Sequence, residues 1–345
     1  MTDHWSIEEL RDRAAKLPRV SLTQLPTPFQ ECPRLGEALG RGVRIFMKRD
    51  DLTTMGCGGN KMRKLEFSMG EALAAGCDCV VHGLAGQSNY CRQTAAVAAR
   101  LGLPCHLVLR KDHKAEDPAQ GNRLLDYVFG AEVRMVEPSD QADAKAALVE
   151  ELKAKGHKPY LVGYRDEVLG AVGYALCLAE MLEQQEALGI GADYICVTGR
   201  AGTLAGLALG KLLLGFEGEV LGFQPAPVPK GAALVEPTAQ MANDAAALLG
   251  SDRRVSADDI QNTTAYGGQA YGEPTEACLE AMFLLGRTEG LLVGPVYTAK
   301  GLSGVIDFVR TGRIEPGSTV IFVHTGGAPE TFAYNAEIAA QLSGA

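Results

Sequence analysis

No uninterrupted apolar stretch among the 345 residues approaches the roughly 20 that a helix needs to cross a bilayer. The opening residues Met1-Thr2-Asp3-His4-Trp5 are polar and hold no apolar signal core. Basic residues are in deficit. The 33 Lys and Arg stand against 42 Asp and Glu, a formal charge of −9, which argues against nucleic acid or an anionic membrane as main partner. The nine cysteines lack metal or redox spacing, and the one close pair, Cys77 and Cys79, is a C-x-C that suits neither zinc nor thiol exchange. Most read as small buried hydrophobes of a reducing compartment, so a cytoplasmic protein with no metal site is expected. No internal repeat, low-complexity tract or interdomain linker is visible.

Glycine is abundant, at 41 residues, and clusters where short apolar runs pass into amphipathic segments. Runs at 44–48, 79–83, 105–109, 132–136, 160–162, 194–198, 220–223 and 319–324 predict strands. They are rich in Val, Ile, Leu and Cys without polar alternation, as in strands buried on both faces of a parallel sheet. Helices are predicted over 60–75, 88–101, 122–129, 140–155, 168–188, 204–214, 275–285 and 300–311. The first places Leu65, Met69 and Leu73 on one face and stops at Gly76. Such alternation implies a doubly wound α/β architecture. The length suits one large domain or two medium ones, the second inserted into the first.

Three segments carry chemistry. In GGNKMRK (58–64), Lys61 follows a glycine pair at the mouth of a helix. Lysine is nucleophilic only when neutral. A helix N-terminus, burial, and the cations Arg63 and Lys64 would each disfavour its charged form, the setting for a Schiff base to an aldehyde cofactor. A surface lysine opening an amphipathic helix is the plainer reading. In TGRAGTLAG (198–206), a strand runs into a glycine-rich turn and a helix runs out, so converging amides and the helix dipole form a phosphate cup. The glycine spacing is not that of a dinucleotide fingerprint, and Gly206-Leu207-Ala208-Leu209-Gly210-Lys211-Leu212 is not a Walker loop. In GQSNY (86–90), polar side chains stand where a buried strand meets a helix. Ser88 or Asn89 can cap that helix, or face a ligand at the carboxyl end of a parallel strand, or both. Tyr266, Tyr271, Tyr297 and His324 lie at turns or strand ends further on. Singly, each reads as a packing residue.

Together these segments resemble the pyridoxal-phosphate family of D-cysteine desulfhydrase and 1-aminocyclopropane-1-carboxylate (ACC) deaminase. The matching stretches are KRDDLTTMGCGGNKMRKLEF (48–67), GQSNYCRQTAAVAARLG (86–102), GNRLLDYVFGAEV (121–133), TGRAGTLAG (198–206), YGEPTEACLEA (271–281), GPVYTAKGLSG (294–304) and VHTGGAPETFAY (323–334). The resemblance implies the tryptophan-synthase-β-like fold, called fold type II: open, twisted, mostly parallel sheets flanked by helices. It implies a large cofactor domain of 1–63 and 173–345, a smaller inserted domain of 64–172, and a homodimer. Lys61 would bind pyridoxal 5'-phosphate covalently. Lys64 and the amides of Ala201, Gly202, Thr203, Leu204 and Ala205 would hold its phosphate. Asn89 would bond the ring hydroxyl. Gln87, Ser88 and Asn89 would face the carboxylate of a small amino-acid substrate, with Ser88, Tyr271 and Tyr297 among the catalytic groups. The implied reaction is removal of the Cα proton by Lys61, loss of a Cβ leaving group, and hydrolysis of the released enamine to pyruvate and ammonia.

The residue facing the ring nitrogen would be Thr298, where the ACC deaminases resemble one another in a glutamate. A hydroxyl only hydrogen-bonds that nitrogen, which favours a desulfhydrase-type elimination. The chain also departs from the desulfhydrase pattern. It reads Gly163-Tyr164-Arg165-Asp166-Glu167 where that branch has a small loop, Arg200 beside the phosphate turn, and Tyr90-Cys91 where a His is frequent. Tyr164 and Arg165 would then lie near the substrate. Arg165 could recognise a second anion, such as the sulfonate of L-cysteate, or belong to a solvated charged turn.

Overall fold

The structure, a computed structural model, describes residues 4–112, 114–115, 118–199, 201–229 and 232–342. Its described strands are β1 (Phe29–Glu31), β2 (Arg44–Lys48), β3 (Cys79–His82), β4 (Cys105–Arg110), β5 (Glu132–Val136), β6 (Pro159–Leu161), β7 (Tyr194–Thr198), β8 (Glu219–Phe223), β9 (Gln261–Thr263) and β10 (Thr319–Val323). They form a six-stranded sheet, β1-β2-β10-β7-β8-β9, and a four-stranded one, β5-β4-β3-β6. Among the described strands only β1 pairs antiparallel. The smaller sheet comes entirely from residues 79–161, and strands of the larger sheet lie on both sides of that segment in the chain.

Alternation along the strands divides the core into layers. Ile195, Val197, Ile321 and Val323 face one apolar cluster, while Cys196, Val320 and Phe322 face another on the opposite side of the sheet. Six helices shape the site: α1 (Met62–Ala74), α2 (Asn89–Leu101), α3 (Gly121–Val128), α4 (Tyr164–Leu188), α5 (Gly202–Leu214) and α6 (Thr298–Thr311). Residues of α4 and α5 fill the first cluster, and those of α6 enter the second. Two short edge strands, β1 and β9, escape a reading by apolar runs because neither holds one. The helices Ile7–Ala14, Pro33–Leu39 and Glu236–Leu248 also lie outside the predicted set.

The largest difference is at the start of α4. The 163–167 segment, expected as a loop, is the first helical turn. Asp166 accepts the Gly163 amide at 2.6 Å, and acidic Asp166 and Glu167 suit a helix N-terminus. Arg63 also differs from expectation. It does not face Lys61. Its guanidinium is buried between Asp50 and Glu180, with four contacts of 2.8–2.9 Å. Lys48 reaches the same Glu180 at 2.9 Å, and the Tyr174 hydroxyl donates to Asp50 at 2.6 Å. This cluster ties β2 and α1 to α4, which anchors the turn that presents Lys61.

Candidate active site

The turn before α1 is shaped by glycine. Gly58 and Gly59 have φ of +69° and +131°, and a Cβ on Gly58 would fall 1.8 Å from the Asp51 carbonyl oxygen. Thr53 clamps Gly59 from both sides, accepting its N–H and donating to its C=O, each at 2.8 Å. Lys61 therefore emerges at the head of α1 into a cleft between the two sheets, near the carboxyl ends of β4, β7 and β10. Its ammonium is 5.9 Å from the ring centres of both Tyr90 and Tyr297. Burial, and then the neighbouring Lys64, bring its pKa down to about 7 against the opposing pull of Glu167.

Opposite Lys61, β7 ends at Thr198 and the chain turns at Gly199, φ +127°, into α5. The Tyr297 hydroxyl comes so close that a Cβ on Gly199 would lie 2.7 Å from it. At the N-terminus of α5 the first amides have no helical partner. One is taken by an anion of the chain itself: Glu167 accepts the Gly202 N–H at 3.2 Å, and the same oxygen meets the Lys64 ammonium at 2.5 Å. Burial pushes this carboxyl up, but Lys64, Lys61 and the Gly202 amide outweigh it and bring the pKa to about 2. A fully ionised carboxylate seated between Lys64 and Gly202 marks an anion cup. Ala201 and Thr203 line the cleft beside it, with Thr203 accepting from Asn60 at 3.0 Å. Leu204 is buried in the first turn. Ala205 differs from expectation, because its N–H is spent on the Ala201 carbonyl at 3.1 Å.

The remaining expected residues divide. Ser88, Asn89, Tyr271, Tyr297 and Thr298 line the cleft with Lys61. Ser88 is also the cap of α2, accepting the amides of Tyr90 and Cys91 at 3.2 Å, as the capping reading expects. The Thr298 hydroxyl donates to Gly326 O at 2.7 Å and lies 3.0 Å from that of Thr325. Tyr271 stands at the mouth, 36% exposed; burial of its hydroxyl, then Glu330 and Tyr297, raise its pKa, so it stays protonated at neutral pH. Gln87 turns away from the cleft to the start of α3, accepting the Asn122 amide and donating to Gln120 O, both at 3.0 Å. Tyr164 and Arg165 are on the surface, paired with Asp244 and Glu71, because helical geometry in 164–167 turns them outward and Glu167 inward. Arg200 lies outside the described residues.

Three cleft or near-cleft groups went unassigned in the sequence. Glu167 fills the cup. Arg110, at the end of β4, lines the cleft with no ion pair or side-chain hydrogen bond among the described residues. Glu330, fully buried, bonds Asn89. Periodicity could have placed Glu167 on the inner face of a helix extended by one turn. Nothing local marks the other two. Tyr266 packs on Phe223 and Phe308, and His324 is satisfied by Leu292 O and the Gly326 amide. In a larger groove lined by Arg11, Arg19, Glu66 and Glu183, Arg11 pairs with Glu183 and Arg19 with Glu66. At the opposite ends of the small sheet's strands, Asp78, Cys79 and His157 come together, but His157 and the Lys158 amide engage Asp78.

An amine that is largely neutral above pH 7, facing an anion cup at a helix N-terminus across the carboxyl ends of parallel sheets, fits an aldehyde cofactor with a phosphate handle. Asn89 and Thr298 line the same cleft. This fold and site define a pyridoxal-phosphate enzyme of fold type II. Residues 20–326 match the family described as pyridoxal-phosphate dependent enzyme, and the chain belongs to it. A D-cysteine desulfhydrase of Serratia proteamaculans is 38% identical over 338 residues, covering 95% of this chain and 99% of that one. An ACC deaminase of Burkholderia cenocepacia is 38% identical over 330 residues, covering 93% and 97%. A solved structure of an ACC deaminase homologue aligns with a TM-score of 0.86 at 34% identity, over 96% and 98% of the two chains. A hydrogen sulfide-producing enzyme of Fusobacterium nucleatum shares the fold, with a TM-score of 0.62 at 18% identity over 89% and 96%. Among the described residues no helix is long and apolar enough to cross a membrane.

Proposed function

We propose that this lyase performs β-elimination on a cysteine-like amino acid, with D-cysteine the leading substrate, converting it with one water to pyruvate, sulfide and ammonia. Thr298 carries this reading. By the family resemblance it would face the ring nitrogen, where a carboxylate would keep that nitrogen charged, and it lines the cleft with Lys61. A hydroxyl supplies no charge, so the reaction depends on a good leaving group at Cβ.

The bound cofactor supplies an electron sink for the charge that develops at Cα. The residues supply the rest. Lys61, neutral once freed, takes the Cα proton. The N-terminus of α2, with Ser88 and Asn89, faces the substrate carboxylate. Tyr271, held protonated, is positioned at the cleft mouth to give a proton to the departing sulfur as the carbon–sulfur bond breaks. Burial and Lys64 keep Lys61 near neutrality against the opposing pull of Glu167.

One observation favours a second reading. Arg110 offers an uncommitted guanidinium to the cleft, the role first expected of Arg165, and an anionic leaving group such as the sulfonate of L-cysteate would meet it. ACC deamination is disfavoured by Thr298. A non-catalytic cofactor-binding role is disfavoured by the presence of Lys61, Ser88, Tyr271 and Tyr297 together in the cleft. The test offers D-cysteine, L-cysteate and ACC separately to the cofactor-loaded protein and measures sulfide, sulfite, keto acid and ammonia. Sulfide with equal pyruvate supports the leading reading. Sulfite from L-cysteate, abolished in Arg110→Ala, supports the second. Keto acid from ACC alone contradicts both, and no product from any returns the chain to a binding role.

A further inference from the structure

Glu330 is a carboxyl group in a place that disfavours one. It is 1% exposed, on the turn that follows β10, and it does not line the cleft. One of its oxygens accepts from Asn89 Nδ2 at 2.9 Å. The other has no hydrogen-bond partner and sits against Gly294, where an added Cβ would lie 2.0 Å from it. The backbone N–H groups of Val296 and Tyr297 face the same carboxyl. Glu330 thus joins the head of α2 to the loop that carries Tyr297 and Thr298.

Asn89 is fixed at both ends of its amide. Its Oδ1 accepts from Asn122 at 2.9 Å and from Arg92 at 3.4 Å, and its Nδ2 gives one hydrogen to Glu330. The second Nδ2 hydrogen remains for the cleft, which Asn89 lines. Without Glu330 the amide would lose the contact that aims this hydrogen.

We propose that Glu330 is a positioning residue that acts through Asn89, aiming the Asn89 amide at the ring of the bound cofactor and coupling that contact to the Tyr297 loop. The arrangement is also sensitive to pH. Burial raises the Glu330 carboxyl to about 7, opposed by the Asn89 bond, the Val296 amide, Arg92 and the Tyr297 amide. The other ionisable groups acting with it are Tyr271, Tyr334 on its own turn, Lys300 of α6, and Cys278. Once ionised, Glu330 pulls harder on Asn89 and places a negative charge behind the contact with the ring.

The test compares wild type, Glu330→Gln, Glu330→Ala, Asn89→Ala and the Asn89→Ala/Glu330→Ala double variant. Two quantities are read: the Kd for pyridoxal phosphate by ultrafiltration, and the absorbance of bound cofactor across pH. Glu330→Ala should weaken binding about tenfold, the usual scale for a group that orients a ligating one. In the Asn89→Ala background it should add nothing. Glu330→Gln keeps an acceptor for Asn89, so it should hold affinity within about threefold while losing the spectral transition centred at about 7. Additive losses in the double variant overturn the proposal. So does a Glu330→Gln protein with the wild-type spectral pH curve, a readout that stands if Glu330→Ala does not fold. A lowered Tm with an unmoved spectrum marks a structural role only and also overturns it.

Discussion

The carboxylate of Glu167 lies 2.5 Å from the ammonium of Lys64 and accepts the amide hydrogen of Gly202 at 3.2 Å. On the proposed reading, a side-chain anion stands in the cup that would receive the cofactor phosphate. Like charges at such range repel strongly, so Glu167 would turn away as the phosphate enters. Glu167→Gln is expected to bind inorganic phosphate and pyridoxal phosphate about tenfold more tightly than wild type, because the competing charge is removed. Calorimetric titration of the cofactor-free protein checks this, and equal or weaker binding contradicts it.

The same carboxylate enters the chemistry of Lys61. Only the neutral amine attacks an aldehyde. Burial and Lys64 lower its pKa to about 7, so the rate of covalent cofactor attachment should rise with pH through about 7 and then level. Glu167 opposes that shift, so in Glu167→Gln the midpoint should move to lower pH. Stopped-flow absorbance on the cofactor-free protein measures both. A midpoint near the ordinary lysine value of about 10.4 would mean that the cleft does not desolvate the amine.

Asp50 and Arg63 form the buried cluster beneath the Lys61 turn. Asp50→Ala leaves Arg63 with one carboxylate fewer and should cost about 3–5 kcal/mol, read from urea unfolding. The pH dependence follows from the direction of the shift. Burial pushes the Asp50 carboxyl up, but Arg63, Lys48 and the Tyr174 hydroxyl more than offset it and hold it below the usual carboxylate value. Its stabilisation is therefore complete above the unfolded pKa of about 3.9 and fades as pH falls through the folded one. A variant with wild-type acid sensitivity would contradict this.

Arg165 makes the opposite case. It is half-exposed and paired with Glu71 on the surface. Arg165→Ala should change stability by no more than about 1 kcal/mol and leave KM for the substrate unchanged. A several-fold rise in KM would return it to the substrate site.

These four cases also mark what could be read from residue order. The buried parallel strands were legible because Val, Ile, Leu and Cys run without polar alternation through β3, β4, β7 and β10. Lys61 and the cup were legible because glycines flank both and a strand or helix adjoins each. The start of α4 was not. Gly163-Tyr164-Arg165-Asp166-Glu167 looks polar and loop-like until the Asp166 cap on the Gly163 amide is known, and one helical turn reverses which side chains face the cleft. Arg63 looked like a neighbour of Lys61 because it is near in sequence, but helical geometry sends it to Asp50 and Glu180. Arg110 and Glu330 depend on contacts across distant segments, the strand end with the cleft and Glu330 with Asn89, which no local pattern encodes.

We propose that Lys61, in this cleft, drives cleavage of the carbon–sulfur bond of a cysteine-like amino acid by taking its Cα proton. The most direct test measures sulfide and pyruvate released from D-cysteine in one tube, with Lys61→Ala run beside the wild type. The wild type should release equal amounts of both products. Lys61→Ala should release none above background, and its cofactor should wash out on dialysis. Turnover by Lys61→Ala at the wild-type rate would contradict the mechanism, and a wild type that binds cofactor but releases no sulfide would contradict the substrate.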